Sequence, residues 1–208
     1  MKKILPILML AGLLLPIVFL GACTPLGFAT GAAATTGAAA AREGGVRGTL
    51  TDLQIQAAIN DLWFQYDVET FAKLDMTVNQ GRVLITGVVQ SPEHRLEAVR
   101  LAWQPVGVKQ VINEIQLADS PGVTAYARDA WISTRLRTAL TFDSKVQSIN
   151  YSIDVVKGNV YLMGVAQNQA ELDHVIEKAR TIPDVRRVVS YVKLVGESLG
   201  PTQTENQR

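Results

Sequence analysis

The stretch RDAWISTRLRTAL, residues 128–140, holds the side chains best placed to act on something outside the chain. Its apolar residues Ile132, Leu136, Ala139 and Leu140 recur at helical spacing and form a stripe suited to face a sheet. Trp131 leads that stripe by one residue, about 100° around a helix. With Arg128, Arg135 and Thr138 it makes a second face at the same spacing. Two readings of that face are open. Trp131 packs under a neighbouring element and the arginines are solvated, or the face meets a membrane. An indole flanked by guanidinium groups suits the second, with the ring at headgroup level and the arginines on phosphates. Arginine grips phosphate through a planar two-pronged set of donors that lysine lacks.

Other chemistry is weakly represented. His94 and His174 are the only histidines, and both are expected to be solvated, with too few partners for a metal site. No Ser–His–Asp set, recurring carboxylate pair or phosphate-cradling glycine loop is present, so no cofactor is called for and no enzyme is expected. Trp63, Phe64 and Tyr66 cluster after the first predicted helix and are expected to fill a core and to join two domains. Arg186 and Arg187 read as a solvated edge leading into the last strand.

The N-terminus determines where any such surface would work. Lys2 and Lys3 precede an apolar run broken by Pro6 and Pro16, then Gly21 and Ala22, the layout of a secretory signal over residues 1–22. A membrane-spanning helix would want about 20 unbroken apolar residues. Cys23 is the sole cysteine, so no internal disulfide exists. The sequence LGAC around it resembles the bacterial lipobox, which implies a lipidated Cys23 at the start of the mature chain; a free thiol past an ordinary cleavage site is the alternative. Thr24 after it resembles the outer-membrane sorting pattern. Residues 24–48 are rich in Ala, Gly and Thr and too poor in large apolar groups to fold. They are expected to form a tether spanning roughly 25–30 Å. The segment 197–208 reads as a disordered polar tail. Export excludes nucleic acid as a partner.

The remainder is a tandem repeat. An ungapped offset of 77 residues aligns Asp52 with Asp129, Ile55 with Ile132, Gly81 with Gly158, Val83 with Val160 and Gly87 with Gly164. It continues to Val108, Val111 and Leu117 on Val185, Val188 and Leu194. Each unit must then be read as one small fold, and each reads helix, strand, strand, helix, strand, an α+β pattern. In the first, a helix begins behind Thr51 and Gln54 at capping-box spacing. A hairpin of alternating apolar residues turns at 79–81. Gly87 ends it, where a missing Cβ would admit a close helix or a bulge. Ser91 and Pro92 open a second helix with Leu96, Val99 and Ala102 inward. The second unit predicts a helix at 125–141, strands at 151–156 and 159–166, a helix at 169–181 capped by Asn168, and a strand at 186–195.

The spacing Gly81–Val83–Gly87 and Gly158–Val160–Gly164, with Gly107–Val108–Val111 in the last turn, resembles the BON domain, an αββαβ module. Asp184 stands where the second copy should have that turn's glycine, so the turn is expected to differ. The boundaries would be 49–118 and 124–196. A lipobox, a tether and two such domains are similar to the dual-BON outer-membrane lipoproteins of Gram-negative bacteria. That resemblance implies a non-enzymatic, periplasm-facing protein supporting envelope integrity, whose second domain engages anionic phospholipids of the outer membrane through its first helix. A protein-interaction adaptor for outer-membrane assembly or cell-wall and division machinery is the alternative. The charges favour the second domain for an anionic surface. Residues 52–117 carry five Lys/Arg against eight Asp/Glu, and residues 129–195 carry nine against seven.

Overall fold

The computed structural model describes residues 45–119 and 122–197. The signal segment, Cys23, the tether up to residue 44 and the tail beyond 197 lie outside the described residues. Helix α1 (Gly45–Phe71) is followed by β1 (Leu74–Asn79), β2 (Arg82–Val89), α2 (Pro92–Ala102) and β3 (Gln110–Leu117). The second copy runs α3 (Val123–Thr141), a 3₁₀ turn (Ser148–Asn150), β4 (Tyr151–Val156), β5 (Asn159–Ala166), α4 (Gln169–Arg180) and β6 (Arg187–Leu194). Both copies are therefore αββαβ, and both lie in one compact unit.

Each sheet has the order hairpin first, last strand outside. β1 pairs antiparallel with β2, and β3 pairs parallel with β2 after the α2 crossover. β4, β5 and β6 repeat this with the same register shifted by 77 residues. The hairpin turns at Gln80–Gly81 and Lys157–Gly158 have positive φ at both positions (54° and 80°, 53° and 78°). That is the two-residue turn whose twist matches a strand pair, and it needs glycine at its second place. Asp184 keeps a positive φ of 66° beside 100° at Gly107, so the last turn does not differ, and a non-glycine residue carries the cost.

Four expectations about the first domain are corrected. α1 begins at Gly45, so residues 45–48 are not tether. Thr51 does not cap it but donates from inside the helix to the Arg47 carbonyl at 3.1 Å. Once Ile55, Ile59 and Trp63 are seated in the core, extending a formed helix upstream needs no new nucleus. A break at Asp67 (φ −161°, ψ 94°) then separates off its last turn. In α2 Ala98, Leu101 and Ala102 are buried and Val99 packs against the same core as expected, while Leu96 is exposed. Small alanines let the helix approach the sheet, which rotates the seam away from Leu96. Finally, Gly87 admits the neighbouring strand's backbone rather than a helix. A Cβ there would sit 2.5 Å from the Lys73 carbonyl oxygen, and at Gly164 it would sit 1.9 Å from that of Asn150.

Each domain has its own core between helices and sheet. Ile55, Ile59, Trp63, Val83, Ile85 and Ala98 lie in the first, and Ile132, Leu136, Leu140, Val160, Leu162 and Val175 in the second. A third core joins them. Leu84, Val88 and Ile112 pack against Val156, Tyr161 and Met163 as the two sheets meet face to face. β2 is buried along its whole length because its odd positions face its own helices and its even positions face the other domain. The simple alternation read from the sequence is thereby corrected. A strand covered on both sides shows a continuous apolar run.

Polar partners frame this interface with a regularity of their own. Thr77 donates to Asp154 at 2.9 Å, and Tyr191 donates to Glu114; each pair is separated by 77 residues, the repeat offset. Equivalent side chains thus meet one another, as they do on the axis of a two-fold dimer. Arg82, itself buried, reaches the Tyr191 carbonyl at 2.8 Å. The expected joint at Trp63, Phe64 and Tyr66 is not there. Trp63 is buried in the first core with its indole N–H on the Ala98 carbonyl at 3.2 Å. Tyr66 stacks on Phe71, and Phe64 is 69% exposed. Sheet faces offer more contiguous apolar area than the end of a helix. The three cores all lie within the described residues, so a fragment spanning 45–197 carries each of them whole.

Candidate functional site

α3 carries the candidate surface. Ile132, Leu136 and Leu140 are buried against β4 and β5 as expected, and Asp129 joins them from the previous turn. The Asp129 carboxylate accepts the amide N–H groups of Lys157 (2.7 Å) and Gly158 (2.8 Å), clamping the hairpin turn to the helix. Asp52 does the same for Gln80 and Gly81, both at 2.8 Å. The clamp fixes the rotation of α3 and so decides which face looks outward. The sequence pattern showed the Asp52–Asp129 identity without its purpose; an invariant acid one helix away from a tight turn was the signal.

The opposite face is free. Arg128, Trp131, Arg135 and Thr138 are all exposed, Trp131 at 44%. The Arg135 guanidinium lies 5.3 Å from the centre of the Trp131 ring, a cation–π contact. Thr138 donates its hydroxyl to the Thr134 carbonyl at 2.9 Å, leaving its methyl and oxygen lone pair outward. The reading of Trp131 as a packed core residue is therefore excluded. Phe142, at the C-terminal cap of α3, is 85% exposed and was missed from the sequence. It follows Trp131 by eleven residues, about 20° from the same line on the wheel. A second exposed aromatic ring thus stands at the C-terminal end of the helix that carries Trp131 and Arg135.

The first domain has no such strip. The aligned positions are Thr51, Gln54, Ala58, Asp61 and Gln65, and the Gln65 amide is bonded to the Asp61 carboxylate at 2.7 Å. The acid and amides there hold water rather than exclude it.

Both histidines are partnered rather than simply solvated. His174 Nε2 lies 2.8 Å from Asp143, which also takes Lys178, and His94 faces Asp67 at 3.9 Å. The hydrogen bonds from Lys178 and His174 hold the Asp143 carboxyl well below the usual range. Among the described residues no group of His, Cys, Asp and Glu side chains is arranged to hold a metal ion. Arg186 and Arg187 are exposed as expected, Arg187 reaching Glu114 at 4.0 Å. Among the described residues no helix is long and apolar enough to cross a membrane.

The BON domain family matches this chain twice, over residues 51–119 and 128–196. The chain belongs to the BON family. It is 41% identical over 146 residues to an uncharacterized protein in the gshII 5′ region of Anaplasma centrale, spanning 70% of this chain and 95% of that one. It is 27% identical over 124 residues to the 21 kDa hemolysin of Actinobacillus pleuropneumoniae, covering 60% and 63% of the two chains. It is 26% identical over 146 residues to the outer membrane lipoprotein DolP of Haemophilus influenzae, covering 65% and 75%. The two BON matches coincide with the two αββαβ units, and α3 is the first helix of the second.

Proposed function

We propose that this BON protein is a non-enzymatic outer-membrane lipoprotein, anchored through Cys23, that docks its second domain on anionic phospholipid and so supports envelope integrity. The observation carrying this is the exposed strip Trp131–Arg135–Thr138–Phe142 with Arg128 beside it, present in one repeat and absent from the other. A ring held at the headgroup level by a stacked arginine suits an interface in which one end is apolar and the other wet. Each basic residue near an anionic surface adds about 1 kcal/mol. The anchor raises the local concentration of the surface, so a weak face is enough. Similarity to a protein named as an outer membrane lipoprotein supports the location.

The test is flotation of the 45–197 fragment with phosphatidylglycerol vesicles and with phosphatidylcholine vesicles. The fragment should bind the first and not the second, and Trp131→Glu should abolish binding while leaving the circular dichroism spectrum unchanged. Binding that survives Trp131→Glu removes the proposal.

A second reading, an adaptor for outer-membrane assembly or cell-wall and division machinery, draws on a different patch. Trp103 is 43% exposed and Val106 99% exposed at the end of α2 in the first domain. Photo-crosslinking from residue 103 and from residue 131 in cells separates the readings. Protein adducts at 103 alone add an adaptor role; protein adducts at 131 in place of lipid replace the docking role.

A further inference from the structure

The turn that Asp129 clamps opens onto a small cavity of about 120 Å³, lined by Arg128 of α3, Lys157 and Gly158 of the hairpin turn, and Asp184 and Arg186 of the last turn. Three cations from three separated segments meet there. Among the described residues none of the three pairs with a carboxylate. Of the two acids at the cavity, Asp129 has both carboxylate oxygens committed to backbone amides. The Arg186 side chain lies over Gly158, where a Cβ would approach its Cγ and Cδ to 3.2 and 3.3 Å. The first repeat has the same hairpin turn with a single cation beside it. Its equivalents are Thr51, Gln80, Gly107 and Lys109, and Gln80 takes the same φ (54° against 53°) as Lys157. One cation has become three on an unchanged turn.

From this geometry we infer that the cavity is a phosphate site, occupied in the docked protein by a lipid headgroup phosphate. The volume suits a tetrahedral oxyanion, and two guanidinium forks with an ammonium supply the donors such an anion takes up. Arg128 links the cavity to the docking strip, so that Trp131 enters the interface while the headgroup is held beside it. The source of the phosphate rests on the docking reading above; the site itself does not. Asp184 is the opposing charge and limits affinity.

Inorganic phosphate titrated into the 45–197 fragment, at constant ionic strength set with chloride, tests the site by amide NMR shifts. Saturable shifts are expected at Lys157, Gly158 and Arg186, and not at Gln80 and Gly81. The variant K157Q/R186Q should lose them. Its first change copies the first repeat's own residue at that φ, and its second lies on an exposed side chain. Asp184→Gly, which copies Gly107, should move the midpoint to lower phosphate. Shifts that persist in K157Q/R186Q, or that chloride reproduces, overturn the site. Phosphatidylglycerol vesicles then test the source. Binding should weaken about fivefold for each charge removed. Vesicle binding unchanged in K157Q/R186Q, with phosphate shifts lost, overturns the headgroup assignment. Should Trp131→Glu leave vesicle binding intact while the phosphate shifts remain, the docking reading fails and the phosphate site stands.

Discussion

Thr77 donates its hydroxyl to Asp154 across the boundary between the two sheets at 2.9 Å, and the acceptor is the threonine's own counterpart in the repeat. Burial pushes the Asp154 carboxyl up to about 6, against the pull of the Thr77 hydrogen bond and Arg137, with Asp75 adding repulsion. Its unfolded value is near 3.8, so the folded protein binds the proton more tightly. The contribution to stability is therefore full below that value and is lost as pH rises through about 6. Asp154→Asn keeps an acceptor for Thr77 and removes the charge. Its stability advantage over the parent should grow as pH rises from near 3.8 to just above 6, to on the order of 2–3 kcal/mol, and then level off. Urea unfolding at several pH values measures it. An advantage that shrinks as pH rises would contradict the assignment.

Asp129 should be worth more than Asp52. Both accept two turn amides, but Asp129 is 9% exposed and Asp52 is only half-buried. Hydrogen bonds to a charged group are worth about 1.5–3 kcal/mol each. Asp129→Ala is expected to cost roughly 3 kcal/mol or more in urea, and Asp52→Ala less. Equal costs would mean that burial does not set the strength of the clamp.

Gly164→Ala should prevent folding. The new Cβ would lie 1.9 Å from the Asn150 carbonyl oxygen at φ +143°, and backbone on both sides cannot yield. Gly87→Ala meets the Lys73 carbonyl at 2.5 Å and should be destabilised strongly but less. Gly122→Ala has nothing within 4 Å and should cost only what alanine loses to glycine at the N-cap of α3, below about 1 kcal/mol. Thermal melts of the three variants give the order.

Phe142→Asp should weaken binding to phosphatidylglycerol vesicles at least tenfold and lower the melting temperature only by what a carboxylate costs at a helix C-terminus, about 0.3–1 kcal/mol, because the ring is 85% exposed. Arg135→Gln should weaken it about fivefold, and raising salt should erase that difference. A loss of stability well beyond that charge effect would place the ring in the fold instead.

Much of this fold was legible because its periodicities are local. The hairpin turns, the caps at Ser91 and Asn168 and the stripe on α3 all lie within a few residues of their partners, and the structure places them as the spacing predicts. The docking strip was half legible. Trp131 and Arg135 stood out against their aligned Gln54 and Ala58, whereas Phe142 lies past the helix end, where a wheel drawn on the helix stops. The domain contact was read in the wrong place because aromatic clusters draw the eye. The signal was the apolar character of β2 on both faces, broken after Arg82 only at Thr86, which a strand covered on one side would not need. The phosphate cavity was illegible in principle, since Arg128, Lys157 and Arg186 come together only through the turn geometry.

The 77-residue spacing of Thr77 with Asp154 and of Glu114 with Tyr191 bears on how the chain can be cut. A severed half would present Leu84, Val88 and Ile112, or Val156, Tyr161 and Met163, to water. Both halves present this face from the same strands of the same fold, though a half paired with its own copy would set Glu114 against Glu114 or Asp154 against Asp154. The molecule is in that sense a homodimer whose two subunits were tied together, and the tie made asymmetry possible. One subunit could gain a ring and three cations while the other kept its acids, a division of labour closed to two identical copies.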